Sequence, residues 1–128
     1  MTDDLLAAAN AARDNAHAPY SRFAVGVALR TPSGRVFSGA NVECASYPEG
    51  WCAETSALGA MVAAGETAIT EVLVVAEHDA PITPCGGCRQ RLAEFGRAST
   101  PVHSAEPGGV RVTFTLGDLL PHAFGLKP

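Results

Sequence analysis

Val72-Leu73-Val74-Val75-Ala76 is an unbroken apolar run, and three of its five residues are valine. It is too short for a buried helix and shows no polar alternation. Such a run fits a central strand covered on both faces, as in a sheet with helices above and below. The flanking sequence supplies those helices. Upstream, Cys52 to Ala64 reads as a helix, with Gly65 as a left-handed stop. Downstream, Pro84 opens a second helix that runs to Phe95 and stops at Gly96. Further out, Ala24 to Leu29 is a short apolar strand. Thr31-Pro32-Ser33-Gly34 is turn chemistry, and Arg35 to Ser38 returns as the second strand of a hairpin. Thr100 to His103 is a strand whose Pro101 suggests a sheet edge. Val110, Val112 and Phe114 alternate with Arg111, Thr113 and Thr115, predicting a half-buried strand. Asp118 to His122 predicts a last helical turn. At the start, Thr2 caps a helix with Asp3 and Asp4 in its first turn. Its apolar positions are Leu5, Ala9, Ala12 and Ala16, and Pro19 ends it. The order predicts an α/β fold with three layers, α/β/α, around one mixed five-stranded sheet.

The 128 residues fit one domain over 1–128, and a hydrophobic fraction of 47% allows a real core. Net charge is −4 with nine Lys and Arg, and no basic stripe stands out. That argues against a nucleic-acid polymer as partner and for a small substrate of little charge. No run approaches the ~18 apolar residues of a membrane span. Asp3 and Asp4 oppose the basic start of a signal peptide, so the expected setting is cytoplasmic. Four cysteines in that setting point to thiols or metal ligands rather than disulfides.

Three of those cysteines form a pattern. Cys52 is followed two positions later by Glu54, and Pro84-Cys85-Gly86-Gly87-Cys88 comes thirty residues on. A Cys-x-x-Cys pair alone suits zinc or redox work equally. A third cysteine with an acid beside it, each group opening a helix, points to catalytic zinc. Catalytic zinc keeps a position for water, whereas a structural site is closed by four protein ligands. Cys44, His78, His103 and His122 are fourth-ligand candidates on paper, Cys44 foremost. Helix N-termini favour the thiolate form of Cys52 and Cys85. Three thiolates over-neutralise a zinc dication, and the two helix dipoles are one way to offset this. Cys88, Leu92 and Phe95 share a helix face, so this ligand should point inward. With water acidified at the open position, Glu54 has the place and chemistry of a proton carrier.

The chain resembles the short, homotetrameric class of cytidine deaminases along almost its whole length. The matching segments are Ala18-Pro19-Tyr20-Ser21-Arg22-Phe23-Ala24-Val25-Gly26, Asn41-Val42-Glu43, Cys52-Ala53-Glu54, Pro84-Cys85-Gly86-Gly87-Cys88-Arg89-Gln90 and Leu119-Leu120-Pro121-His122-Ala123-Phe124. The resemblance implies a cytidine deaminase-like fold and one zinc ion per subunit. It implies deamination of cytidine and deoxycytidine in pyrimidine salvage, with Glu54 catalytic. Asn41 and Glu43 would bind the ribose 3′-hydroxyl, and Phe23 would pack against the substrate. The Ala53 backbone N–H would meet the 2-oxo group. Ala45 and Tyr47 of one neighbouring subunit would approach the 5′-hydroxyl, and Phe124 of another would stack on the base. The resemblance thus implies a homotetramer with shared active sites.

Related deaminases acting on blasticidin S lack the Asn41/Glu43 pair. Polynucleotide deaminases use histidine as first ligand and need a basic channel. This chain departs from its class at two points. Thr55 stands where many members carry an arginine that helps neutralise the thiolates, leaving Arg89 or the helix dipoles to compensate. Cys44 replaces the usual asparagine and reads as a small buried residue, while Trp51 reads as a packing residue.

Overall fold

The computed structural model describes residues 2–126. Helix α1 spans Asp3–Arg13, followed by strands β1 (Gly26–Arg30) and β2 (Val36–Ala40). Helix α2 (Ala53–Ala63), strand β3 (Glu71–Val75) and helix α3 (Gly86–Phe95) come next. Strands β4 (Pro101–Glu106) and β5 (Gly109–Thr115) and a short helix α4 (Leu116–Leu119) complete the described chain. The strands form one sheet in the order β2-β1-β3-β4-β5. β3 and β4 are parallel, joined across α3, and the other neighbours are antiparallel. The mixed five-stranded sheet is as expected.

The two faces of the sheet separate cleanly by residue parity. Ala28, Leu73, Val75 and Ala105 point to one side and pack on Leu5 and Ala9 of α1. Val27, Leu29, Val72, Val74 and Val102 point to the other and pack on Ala57, Leu58 and Met61 of α2 and Leu92 of α3. The central run is therefore apolar throughout because each face has its own helix layer. The helices lie close to the strands. A Cβ on Gly26 would fall 2.0 Å from the Ala9 carbonyl oxygen, so β1 can approach α1 only without a side chain there.

Several local expectations change. Pro101 begins β4, where its missing N–H costs nothing, and β4 lies inside the sheet rather than at its edge. Thr2 occupies the N-cap of α1 but its side chain makes no capping bond. The helix stops at Arg13, and Ala16 lies beyond it. The last helix starts earlier than expected. Thr115 accepts from the Asp118 N–H, and the Asp118 carboxylate accepts from the Thr115 N–H. That reciprocal cap fixes the start of α4 at Leu116. Register shifts between Ser104 and Ala105, and Val110 is exposed despite the alternating pattern.

Candidate metal and substrate site

α2 and α3 begin side by side on the same face of the sheet, and each begins with a cysteine. Cys52 and Cys85 are the N-cap residues, both with extended backbone, and neither side chain makes a capping hydrogen bond. Their sulfurs thus stand beside helix N–H groups that have no intrahelical partner. Cys88 follows in the first turn of α3, fully buried as its shared face with Leu92 predicts. The three sulfurs all lie within 4.8 Å of one another, and Cys52 and Cys85 are 3.7 Å apart. Zinc–sulfur bonds of about 2.3 Å at tetrahedral angles place sulfurs roughly 3.8 Å apart, so the cluster fits zinc.

Among the described residues the cluster contains no fourth His, Cys, Asp or Glu. Cys44 is exposed rather than buried and does not join it. His103 is held by Glu71 and Thr113 on the sheet, and His78 lies edge-on to Phe23 at 6.0 Å. A three-ligand set is the arrangement of a site that keeps a position for water.

Glu54 is 4% exposed, next to these sulfurs in the first turn of α2. Burial pushes its carboxyl above the ordinary value, opposed by its backbone N–H, Cys88 and the charge of Arg91. The thiols differ among themselves. Burial raises Cys88 and Cys52. Burial also acts on Cys85, but the Cys88 backbone N–H and the other two thiols outweigh it and hold Cys85 low. Cys88 has two further polar neighbours. Arg91 Nη1 donates to its sulfur at 3.7 Å, and Thr55 Oγ1 lies 3.9 Å from it. Arg89 does not reach the sulfurs by any such bond. It donates to the carbonyls of Pro84 and Leu119 and to Thr83 Oγ1, tying the start of α3 to α4.

The segment between β2 and α2 carries the second group of candidates. Asn41 Oδ1 accepts from the Val25 N–H, and Nδ2 donates to the Phe23 carbonyl. The Glu43 carboxylate accepts from the backbone N–H groups of Tyr20 and Ser21 and from the Ser21 hydroxyl. Those contacts hold the carboxyl below its ordinary value, the Ser21 hydroxyl contributing most. Phe23 is 36% exposed. Ala53 is buried as the first residue of α2, where its N–H has no intrahelical partner. A cleft of about 440 Å³ is lined by Asn41, Glu43, Tyr47, Trp51 and Cys52 among others, while Glu54, Cys85 and Cys88 do not line it. Tyr47 stands edge-on to Tyr20 at 5.7 Å. Tyr47 and Phe124 are 73% and 70% exposed, and Ala45 is exposed too. Trp51 is half exposed rather than packed away. Gln90 donates to the Phe124 carbonyl and so holds that residue beside α3.

Two contacts escaped sequence reasoning. The Ser21–Glu43 latch joins segments far apart in sequence and carries no local signal. Arg91 does carry one, since it follows Cys88 by three residues on a helix.

Residues 1–104 match the family described as cytidine and deoxycytidylate deaminase zinc-binding region. The chain is 42% identical over 120 residues to the cytidine deaminase of Halalkalibacterium halodurans, covering 94% of this chain and 91% of that one. It is 41% identical to the cytidine deaminase of Mycobacterium tuberculosis over 119 residues, 92% of this chain and 85% of the relative. The crystal structure of cytidine deaminase from Burkholderia pseudomallei superposes with a TM-score of 0.90 at 46% identity, covering 97% of this chain and 99% of that one.

Proposed function

The chain belongs to the cytidine and deoxycytidylate deaminase zinc-binding family, and from that premise we propose that it hydrolyses cytidine and deoxycytidine to uridine and deoxyuridine with release of ammonia. The observation that carries this reading is a buried carboxylate, Glu54, beside three clustered thiols with no fourth protein ligand.

Zinc, when bound, supplies Lewis acidity and an acidified water. Cys52, Cys85 and Cys88 would hold the ion. Glu54 would take one proton from the water and deliver it to ring N3 as the water oxygen bonds to C4. It would then take the second proton from that new hydroxyl and deliver it to the amine, which leaves as ammonia as the C4–N bond breaks and the 4-oxo group forms. Burial raises the Glu54 carboxyl above its ordinary value, the direction that favours its accepting a proton.

The substrate contacts are part of the same proposal. Asn41 has committed one acceptor site and one N–H to the backbone, which leaves an N–H for the ribose 3′-hydroxyl. Glu43 accepts three hydrogen bonds of about four possible, which leaves a site for the same hydroxyl. Phe23 packs against the substrate, and the Ala53 N–H binds the 2-oxo group. Ala45, Tyr47 and Phe124 act across subunit boundaries in a homotetramer. Two exposed aromatic rings, Tyr47 and Phe124, support that assembly. We place this enzyme, a single catalytic domain over 1–128, in pyrimidine salvage in the cytoplasm. Three cysteines gathered for a metal rather than paired in disulfides fit a reducing compartment, and among the described residues no helix is long and apolar enough to cross a membrane.

The test is ammonia release from cytidine by the zinc-loaded protein, with Glu54→Ala as control. The wild type should turn over. The variant should keep zinc and fold and lose about 100-fold or more in rate. Comparable rates would overturn the role of Glu54, and no release by the zinc-loaded wild type would overturn the substrate.

A further inference from the structure

The two helix starts at the zinc cluster offset thiolate charge, but the buried Glu54 adds a further negative charge beside it. Three thiolates carry one more negative charge than a zinc dication cancels, and the buried Glu54 stands next to them. Excess thiolate charge weakens the ion as a Lewis acid. Arg89 is spent on two carbonyls and a hydroxyl. Thr55 offers Cys88 a hydroxyl at 3.9 Å, which carries no charge.

We infer that Arg91 is the positioning residue that balances this cluster, acting through the Cys88 sulfur. Its Nη1 donates to that sulfur at 3.7 Å. Helical side chains lean toward the helix N-terminus, so a residue three positions after Cys88 reaches back over the first turn of α3. A cation placed there opposes the helix dipole and is unfavourable unless an anion sits beside it. The thiolate of Cys88 is that anion. Gly87 supplies the room. A Cβ on Gly87 would fall 3.2 Å from Arg91 Nη1 and 3.9 Å from Cζ and Nη2, so the guanidinium lies across the bare backbone of that residue. Arg91 is exposed on its outer side, so its effect is that of an outer partner of the metal rather than a ligand.

The inference rests on the reading of Cys52, Cys85 and Cys88 as zinc ligands, and the experiment separates the two. Arg91→Gln and Gly87→Ala are purified as zinc- and cobalt-loaded proteins, with Arg97→Gln as a control for the loss of a surface charge. A hydrogen bond from a cation lowers the energy of the sulfur lone pairs. Its loss in Arg91→Gln should move the sulfur-to-cobalt charge-transfer band to lower energy. Zinc release to a chelator should speed up about 10-fold, the lower end of what loss of an outer partner does. kcat should fall by a similar factor with KM within about twofold, because the effect reaches the reaction through the metal. Gly87→Ala, which the guanidinium accommodates by moving a few tenths of an ångström, should keep the band and zinc release close to those of wild type. Arg97→Gln should match the wild type in every readout. A band and a release rate in Arg91→Gln equal to those of wild type overturn the inference and leave the zinc reading intact. A wild type that binds neither zinc nor cobalt at the three cysteines overturns both.

Discussion

Gly39 of β2 and Ala57 of α2 meet backbone to backbone. A Cβ on Gly39 would fall 2.5 Å from the Ala57 nitrogen, 2.7 Å from the Ser56 Cβ and 2.9 Å from the Ala53 carbonyl oxygen. The helix that starts at Cys52 thus lies directly on the strand that leads to Asn41, and Ser56 Oγ donates to the Ala40 carbonyl at the same seam. One close contact sets the distance between the metal cluster and the Asn41/Glu43 segment.

Gly39→Ala should therefore act on both. Two of the obstructing atoms are backbone and the third is a Cβ fixed to it, so the helix has to move and the flexible end of a side chain cannot absorb the clash. Overpacking of this kind costs about 1–3 kcal/mol, to be read from the midpoint of urea unfolding. Zinc affinity should fall along with stability, since α2 carries one ligand while α3 carries the other two. An unchanged midpoint would show that β2, at the sheet edge, yields freely.

Much of this architecture was legible because its signals are local. Val72–Ala76 gave its double-sided burial away by lacking alternation, and Cys52, Cys85 and Cys88 were readable because each lies at a helix start. Pro101 misled for a physical reason. Proline is excluded from a strand's hydrogen-bonded middle, and a strand's first residue is as permissive as an edge. Cys44 was expected to be buried, but the segment from 41 to 50 runs outward and exposes it. Arg89 or the helix dipoles were expected to offset the thiolates, and Arg89 does not reach them. A helix turns about 100° per residue, so the neighbour in sequence points elsewhere and Arg91 faces the sulfur. The tie between Glu43 and Ser21 depends on how two loops meet, which no local pattern encodes.

That tie predicts a pH dependence. The Ser21 hydroxyl, then the Ser21 and Tyr20 N–H groups and the charge of His17, hold Glu43 below its ordinary value of 4.5. A carboxyl lowered on folding stabilises its surroundings above that value, and the contribution is lost as pH falls through the lower folded value. Amide exchange at Tyr20 and Ser21, corrected for intrinsic rates, should lose protection below about pH 4.5. Glu43→Gln should remove most of that dependence. Protection that stays constant down to about pH 3 in the wild type would contradict the latch.

Cys85→Ser tests the metal through stability alone. A hydroxyl is a poor zinc ligand at neutral pH, so the loss in affinity should exceed the roughly 10–100-fold typical of losing an outer partner. Binding to the folded state stabilises it by RT ln(1 + [L]/Kd), so at saturating zinc each tenfold loss of affinity removes about 1.4 kcal/mol. Cys85 is exposed at its helix start and contributes little packing. Without metal, wild type and Cys85→Ser should therefore unfold at nearly the same denaturant concentration. With zinc present, the wild type should gain stability that the variant does not, by an amount that matches the affinity ratio from metal titration. A gap of equal size with and without zinc would mean that Cys85 holds the fold by packing and is not a ligand. A gap that appears only with zinc ties stability to the ion and identifies the start of α3 as part of its binding site.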